Sequence, residues 1–479
     1  MDTNTKQIEV KEMAVRYKKF GRQEYAYRIW NEKKEGTKKW VQRSQYLGVV
    51  VDKENGVYER RNGPSGRQKE RSILDYGDSY FLHSIVKELP IYGVMRKVFG
   101  KWFDTLMVLV MYRIIGGQAM RYAENWYEGN YVNRLFPEGK VGSQEISEFL
   151  RYLGDEEVLR KFMRGYIAQI QNEKSGVVID STGLPNEIKM PVSDWGYHNG
   201  GIEHETRLIL AIDRKSQLPL YFRYVAGNIG DVSTLTNTIA EMKENGISTS
   251  SALIDAGYFS ETNLKMLFDS KISFLIRMPS NRVIYRSIIR ENTDIENTVY
   301  AVKYGKRGLF VKENEIEVYG EKAFAYLVLD PERRGREISK MVSEMTDDVA
   351  TSDFSNCGKM VLLSSEKLNT NDVVPLYYTR QIAERMFGIA KDDLNILPLR
   401  THSEPNFKGF MLLVFISLII SCAIKARLGK DIPIEYAVST LKNLKCKVFD
   451  NTILLNELTK KQRLVFEVSN VLVPNISGV

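Results

Sequence analysis

The stretch that decides the fold and its chemistry is Tyr377-Tyr-Thr-Arg380-Gln-Ile-Ala-Glu384-Arg-Met-Phe-Gly-Ile-Ala-Lys391. A tyrosine, an arginine, a glutamate and a lysine stand in it at offsets of 0, 3, 7 and 14. A helix that turns about 100° per residue places these four side chains within about 60° of one another. The apolar residues Ile382, Met386 and Ile389 point the other way. The pattern predicts a helix with one face on a core and an opposite face that presents an acid, two cations and a phenol.

Charged residues on one helix face usually form only a solvated surface, so this row of charges needs support from elsewhere. Two further carboxylates end short apolar runs, Gly176-Val-Val-Ile-Asp180 and Ala252-Leu-Ile-Asp255. Such runs are typical of strands buried on both faces, and ligand sites of α/β folds lie at the ends of such strands. Similar runs before Asp213 and Asp330 lead instead into a turn and a basic loop. We therefore expect Asp180 and Asp255 at the edge of a sheet.

The motifs of this chain resemble those of the DDE transposases of bacterial insertion sequences, in the subgroup with a Tyr-x2-Arg-x3-Glu-x6-Lys signature. The signature is complete at Tyr377 to Lys391, and three other motifs precede it: Asp180-Ser-Thr-Gly, Gly227-Asn-Ile-Gly-Asp231 and Asp255-Ala-Gly-Tyr-Phe. The resemblance extends over about residues 175–430. It implies an enzyme that cleaves DNA at transposon ends and transfers the cut strand into target DNA, in cut-and-paste transposition.

The resemblance also implies the metal site. Asp180, Asp255 and Glu384 would be the catalytic residues and the ligands of two Mg²⁺ ions, for which Mn²⁺ can substitute, with Asp180 bridging both. Hard cations of this kind prefer carboxylate oxygens, and a pair of them can activate an attacking oxygen and stabilise a leaving one.

Three residues of the signature are expected to bind DNA rather than metal. Arg380 and Lys391 would hold phosphates on either side of the scissile bond, and Tyr377 would hydrogen-bond or stack beside it. The expected partners are double-stranded DNA, in the form of terminal inverted repeats and target DNA, and a second copy of the chain, since transposition joins two DNA ends.

Composition agrees with a polyanionic partner but does not prove one. The net charge is +8 with a pI of about 9.0, spread over 479 residues. The three cysteines contain no Cys-x2-Cys pair, which argues against a zinc finger and a disulfide framework. The four histidines show no His-Glu-x-x-His spacing. The most apolar run, Gly409–Ile424, is shorter than the ~20 residues of a membrane span. We expect a helix buried against the sheet, no membrane partner, and a cytoplasmic, nucleoid-associated protein.

The fold class predicted is α/β and multidomain, with a ribonuclease-H-like catalytic core interrupted by a β-rich insertion. Strand-like runs at 176–180, 206–213, 218–225, 251–255 and 272–277, with helices after the third and fourth, give the core its order. The predicted parts are a β-rich module that can contact DNA (1–68), a helical module that can bind DNA (69–172), the core (173–278 and 366–430), the insertion (279–365) and a C-terminal helical segment (431–479).

The insertion is inferred from length and alternation. Between Asp255 and Glu384 lie 128 residues, too many for a loop. Runs such as Arg282-Val-Ile-Tyr-Arg and Phe324-Ala-Tyr-Leu-Val-Leu read as strands of an independently packed β domain. Family members carry a β-rich insertion at this place, and in some of them its tryptophan stacks on a flipped base. This insertion has no tryptophan, so another side chain must act there or the step differs.

Three other functions remain compatible with parts of the pattern. A ribonuclease-H-like nuclease without strand transfer would use the same acids. A transposase-derived DNA-binding protein without catalysis would keep the fold, although the three intact acids count against it. A glycosidase would also need two carboxylates, but it would need neither Arg380 and Lys391 nor a basic chain.

Overall fold

The computed structural model describes residues 10–20, 23–33, 40–59, 72–117, 119–171, 175–198, 201–344, 354–401, 403–449 and 452–474. The chain divides into two compact units, one of residues 1–72 with 448–452 and one of residues 73–447 with 453–479.

The first unit is an antiparallel sheet of four strands in sequence order: β1 (Val10–Phe20), β2 (Gln23–Lys33), β3 (Trp40–Asp52) and β4 (Val57–Glu59). Tyrosines pack across it, with the rings of Tyr27 and Tyr46 5.4 Å apart and the hydroxyls of Tyr17 and Tyr58 in hydrogen-bond contact at 3.0 Å. The strand prediction for this part of the chain is confirmed. Residues 60–68 of the predicted β-rich module lie outside the described residues.

The second unit begins with a short strand and seven helices: β5 (Ser72–Asp75), α1 (Gly77–Glu88), α2 (Pro90–Phe99), α3 (Phe103–Ile114), α4 (Ala123–Gly129), α5 (Val132–Leu135), α6 (Ser143–Leu153) and α7 (Glu156–Ile170). Helix α7 starts where the Asp155 carboxylate accepts the backbone N–H groups of Glu157 and Val158. Helix α3 is apolar along nearly its whole length and lies buried. The helical prediction for this region is confirmed.

A ten-stranded sheet forms the centre of the second unit. Its strands are β6 (Ser175–Pro185), β7 (Asp194–His198), β8 (Gly201–Asp213), β9 (Pro219–Ala226), β10 (Thr249–Ile254), β11 (Ser273–Met278), β12 (Ala301–Tyr304), β13 (Arg307–Val318), β14 (Glu321–Leu329) and β15 (Lys359–Ser364). They lie in the order β12-β13-β14-β15-β11-β10-β6-β8-β7, and β9 also pairs with β8. Strands β6, β10 and β11 are parallel to one another, and the other pairs are antiparallel.

Helices α8 (Leu235–Glu244), α9 (Glu261–Asp269), α10 (Val283–Glu291), α11 (Pro331–Ser343), α12 (Thr370–Tyr378), α13 (Gln381–Gly388) and α14 (Glu404–Leu428) accompany the sheet. Helix α14 is the apolar helix expected from Gly409–Ile424, and its Phe415 ring lies 4.7 Å from that of Phe222 on β9. Within the described residues it is the one helix long and apolar enough to cross a membrane, yet 83% of its most apolar window is buried inside the chain. This degree of burial is that of a core helix.

The insertion differs from the prediction of an independently packed β domain. The run Arg282-Val-Ile-Tyr-Arg286, predicted as a strand, falls on helix α10 (Val283–Glu291), because Tyr285, Ile288 and Ile289 have helical spacing and are buried together. Strand β15 pairs with β11, so β12 to β15 extend the central sheet instead of forming a separate one. The insertion reaches the signature helices, since the rings of Tyr304 and Tyr378 stack at 5.3 Å.

The C-terminal segment also departs from an all-helical prediction. It contains α15 (Ile434–Lys442) and α16 (Lys460–Val468), but β16 (Lys445–Val448) and β17 (Ile453–Leu455) lie between them and form a three-stranded sheet in the order β17-β16-β5. The alternating burial of Lys445–Val448 explains the strand.

Close contact between α6 and α14 gives a test of this packing. A Cβ atom on Gly409 would lie 1.8 Å from the carbonyl oxygen of Leu150, whereas one on Gly93, exposed in α2, would meet nothing within 4 Å. We predict that Gly409→Ala lowers the free energy of unfolding by about 2–3 kcal/mol or more. Gly93→Ala should leave it unchanged or raise it by about 0.5–1 kcal/mol. Urea unfolding of both variants checks this, and equal midpoints would contradict the packing described.

Candidate active site

Two acids of the site stand on neighbouring parallel strands. Ile179 of β6 pairs with Ile254 of β10, so the next residues, Asp180 and Asp255, lie side by side where the pairing of the two parallel strands ends. The residues before them, Val177–Ile179 and Ala252–Ile254, are buried. Asp255 directly follows the end of β10, as predicted, but the prediction of a strand end is wrong for Asp180, because β6 continues to Pro185 along β8 after its pairing with β10 stops.

Glu384 reaches these two acids through Arg380. The guanidinium of Arg380 donates from Nη1 to Asp180 Oδ2 at 2.8 Å and from Nη2 to Glu384 Oε1 at 3.3 Å. Its Nη1 also lies 3.8 Å from Asp255 Oδ2. The three carboxylates, from two strands and one helix, therefore converge on one cation.

The other two signature residues contact the catalytic strands as well. The Tyr377 hydroxyl donates to Asp255 Oδ1 at 3.0 Å. The Lys391 ammonium donates to Thr182 Oγ1 at 2.8 Å, two residues after Asp180 on β6. The structure thus brings five of the six predicted residues into one contact network. The sixth, Lys391, contacts Thr182 of β6 beside that network.

The signature does not form the single straight helix that its spacing predicts. Helix α12 ends at Tyr378 and α13 begins at Gln381, and the N–H groups of Arg380 and Ala383 donate to carbonyl oxygens three residues back instead of four. A π-helical turn then covers Ile389–Asp393. These tight and wide turns change the direction of the side chains. At the junction Tyr377 is buried and Arg380 is half-buried, while the Glu384 side chain is 58% exposed.

Burial dominates the electrostatics at the centre of the site. Burial raises the pKa of Asp180 from 3.8 to about 6; the carboxylates of Asp255 and Asp231 add to this, and Arg380 opposes it. For Arg380, burial lowers the pKa, but the carboxylates around it raise it by more. Burial and the charge of Asp255 raise the pKa of Tyr377, and burial lowers the pKa of Lys391.

Asp231, the last residue of the motif Gly227–Asp231, contacts side chains on β6 and β8. It lies in a short 3-10 turn and its carboxylate caps no helix. Instead, Oδ1 accepts from Ser181 Oγ at 2.6 Å and from Arg207 Nη1 at 3.1 Å. A Cβ atom on Gly257 would lie 2.9 Å from Asp231 Oδ2. Asp231 therefore supports the residues that follow Asp180 and Asp255, a role that the sequence did not predict.

The carboxylate oxygens of Asp180, Asp255 and Glu384 are ligands suited to a hard divalent cation, but here they surround the guanidinium of Arg380. Carboxylate oxygens are the preferred ligands of Mg²⁺ and Mn²⁺. In the part of the chain that the structure describes, no three acidic, histidine or cysteine side chains are gathered closely enough to hold a metal ion. The reason is Arg380, whose guanidinium lies among Asp180, Asp255 and Glu384.

Comparison with known proteins identifies the family to which the chain belongs. The model of the family described as "Transposase DDE domain" matches residues 171–420, which contain Asp180, Asp255 and the signature. The chain belongs to this family, and the resemblance to DDE-type transposases is confirmed. Among solved structures, the chain is similar to piggyBac transposase in a synaptic complex with hairpin DNA, with a TM-score of 0.41 and 11% sequence identity over 76% of this chain and 79% of that chain. No curated protein matches the chain significantly.

The raised pKa of Asp180 predicts a pH dependence of stability. A carboxyl whose folded pKa exceeds its unfolded value stabilises the fold fully below the unfolded value, and this stability is lost as the pH rises through the folded value. Metal-free wild-type protein should therefore lose roughly 3 kcal/mol relative to Asp180→Asn between pH 4 and pH 8, since two pKa units are involved. Urea unfolding in EDTA measures the difference. A gap between the two proteins that does not change with pH would contradict the burial of this charge.

Proposed function

We propose that this chain is the transposase of a mobile DNA element, which cuts DNA at the ends of the element and joins the freed 3′-hydroxyl to target DNA. The observation that supports it best is the convergence of Asp180, Asp255 and Glu384 on one cation. A structural ion pair needs only one acid for each cation. Three acids around a single guanidinium leave an excess of negative charge, which is the setting for additional cations.

The order of the central strands supports a ribonuclease-H-like core. Strands β9, β8 and β6 form an antiparallel run, and β10 and β11 follow β6 in parallel. The helices α8 and α9 come after the third and the fourth of these strands in the chain. We propose this class for the core because its strands and helices follow one another along the chain in the order predicted for it.

Asp180, Asp255 and Glu384 would hold the divalent ions. When bound, a pair of such ions activates the attacking oxygen and stabilises the departing 3′-oxygen of a phosphodiester. The remaining roles belong to this chain. Tyr377 orients the Asp255 carboxylate through its hydroxyl, and Asp231 holds Ser181 beside Asp180.

Arg380 would exchange its carboxylate partners for DNA phosphates. Its planar guanidinium has five N–H donors. A phosphate can accept two of them in parallel through two oxygens, as a carboxylate does. Lys391 is already fixed by Thr182 on the catalytic strand, so it can place a second positive charge along the same DNA backbone. Together with the net charge of +8, these residues support double-stranded DNA as the partner, bound by a dimer that unites two ends.

Substitution of each acid tests the catalytic assignment. We predict that Asp180→Asn, Asp255→Asn and Glu384→Gln each abolish cleavage of a duplex that carries the inverted repeats flanking the gene, in Mg²⁺ or in Mn²⁺. Loss of one ligand removes several kcal/mol of transition-state stabilisation, while binding of the uncut duplex should persist. Asp213→Asn is the matched control, because Asp213 ends a strand but only accepts a turn N–H from Ser216. Cleavage near the wild-type rate by any of the three would remove that acid from the site.

The phosphate contacts predict a change in salt dependence. Arg380→Ala and Lys391→Ala should each reduce the slope of log K for end binding against log salt concentration by about one unit. Lys265→Ala, which removes a surface cation paired with Glu261 on α9, should leave the slope unchanged. Circular dichroism checks that the variants are folded. If Arg380 only pairs with Glu384 along the helix, worth about 0.3–0.5 kcal/mol, the slope stays at its wild-type value and the phosphate assignment is wrong.

A further inference from the structure

The hairpin of β7 and β8 exposes an unusual cluster of large side chains. Trp195 is 62% exposed, Tyr197 is 70% exposed and Ile202 is 71% exposed. In the antiparallel register Trp195 lies opposite His204 and Tyr197 lies opposite Ile202. Directly opposed residues project from the same face of a sheet, so the three exposed side chains and His204 form one patch, called here the hairpin patch.

The hairpin patch shares its sheet face with the catalytic strand. Asp180 pairs with Leu210 and Thr182 pairs with Leu208, with no shift of register along β6 and β8. Alternate residues of a strand lie on the same face, and counting back along β8 by twos from Leu210 leads to His204 and Ile202. This is the face on which Arg380 contacts Asp180 and Lys391 contacts Thr182.

The base of the hairpin is held firmly, so the orientation of Trp195 is fixed before any ligand binds. The carboxylate of Asp194 accepts the backbone N–H of Trp195 and the Asn228 amide, both at 2.8 Å. A Cβ atom on Gly196 would lie 2.5 Å from Glu205 Oε1 and 2.6 Å from the carbonyl oxygen of Gly227. This strand therefore lies close against its neighbours.

His204 supports one side of the Trp195 ring. The two rings meet edge to face with centroids 5.7 Å apart. Nδ1 of His204 lies 3.1 Å from both the carbonyl oxygen of Asn186 and the hydroxyl of Ser193, which fixes the imidazole. An aromatic ring that is supported on one side and exposed on the other is a stacking platform that loses little entropy on binding.

We propose that Trp195, with Tyr197 beside it, stacks on a base of the DNA that lies across the catalytic face. This inference rests on the proposed function and adds to it a residue that positions the DNA end. Lys391 and Arg380 would fix the phosphates of that DNA on the same face, which brings its bases to the hairpin patch. Every base offers a π-face to an aromatic ring. A stable protein partner would need about 800 Å² on each side, which three side chains do not provide.

Removal of single bases from the DNA tests the proposal. Binding is measured in EDTA, which prevents cleavage, on duplexes of the flanking inverted repeat with an abasic site at each terminal position in turn. For the wild-type chain, one position should lower the affinity by about 5- to 100-fold, the range of a base–aromatic stack. The Trp195→Ala variant should bind the intact duplex more weakly by a similar factor. Its affinity should not fall further when the duplex carries that abasic site. Trp195→Phe should retain part of the dependence on the base.

Tyr436→Ala is the matched control, since Tyr436 is an exposed aromatic residue on α15 and should keep the full dependence on the base. If Trp195→Ala shows the same abasic profile as the wild type, the proposal is wrong. It is also wrong if sedimentation shows that Trp195→Ala loses self-association while its abasic profile is unchanged, because the patch would then join two chains. Failure of the proposed function looks different: the wild-type chain would then neither bind nor cut the inverted-repeat duplex.

Discussion

The cation among the three acids is the constraint on which the catalytic centre depends. Asp180 is largely buried, and Asp255 and Asp231 lie near enough to raise its pKa. Like charges in such a place cannot all remain ionised without a positive partner. The Arg380 guanidinium supplies that partner through contacts with Asp180, Asp255 and Glu384. The site is therefore assembled around charge balance, and any ligand that enters it must preserve that balance.

The scaffold meets this demand with rigid elements. Two parallel strands place Asp180 and Asp255 next to each other, and their apolar residues are covered on both faces. Glu384 lies on a separate helix whose start is set by the turn at Arg380. A second layer of polar contacts, from Ser181 on β6 through Asp231 to Arg207 on β8, joins these two strands, and Asp231 also lies against Gly257 in the turn after β10. Because these contacts act on backbone positions next to the acids, they fix the acids without occupying the space between them.

The sequence predicted the parts of this arrangement that depend on local pattern. A strand buried on both faces requires an unbroken apolar run, so the runs before Asp180 and Asp255 could be predicted as neighbouring strands from a few residues each. The continuation of β6 past Asp180 to Pro185 was not predicted, because the residues after Asp180 do not continue the apolar run. The helix with Glu384 was predicted too, but its break was not, because spacing arguments assume a uniform 3.6-residue turn. The short alternation around Val283 fits a strand and a helix equally well, and burial decided for the helix. The contacts of Asp231 with Ser181 and Arg207 join distant parts of the chain, and no local pattern encodes them.

Strand joining distinguishes a transposase from a simple nuclease at this site. The chain is incubated with Mg²⁺, a supercoiled target plasmid and a labelled duplex that ends in the 3′-hydroxyl of its flanking inverted repeat. We predict that the labelled duplex becomes covalently attached to the plasmid, and that Glu384→Gln abolishes the attachment. Cleavage of the inverted-repeat duplex without any joined product would contradict it, and would identify the three acids around Arg380 as the centre of a nuclease.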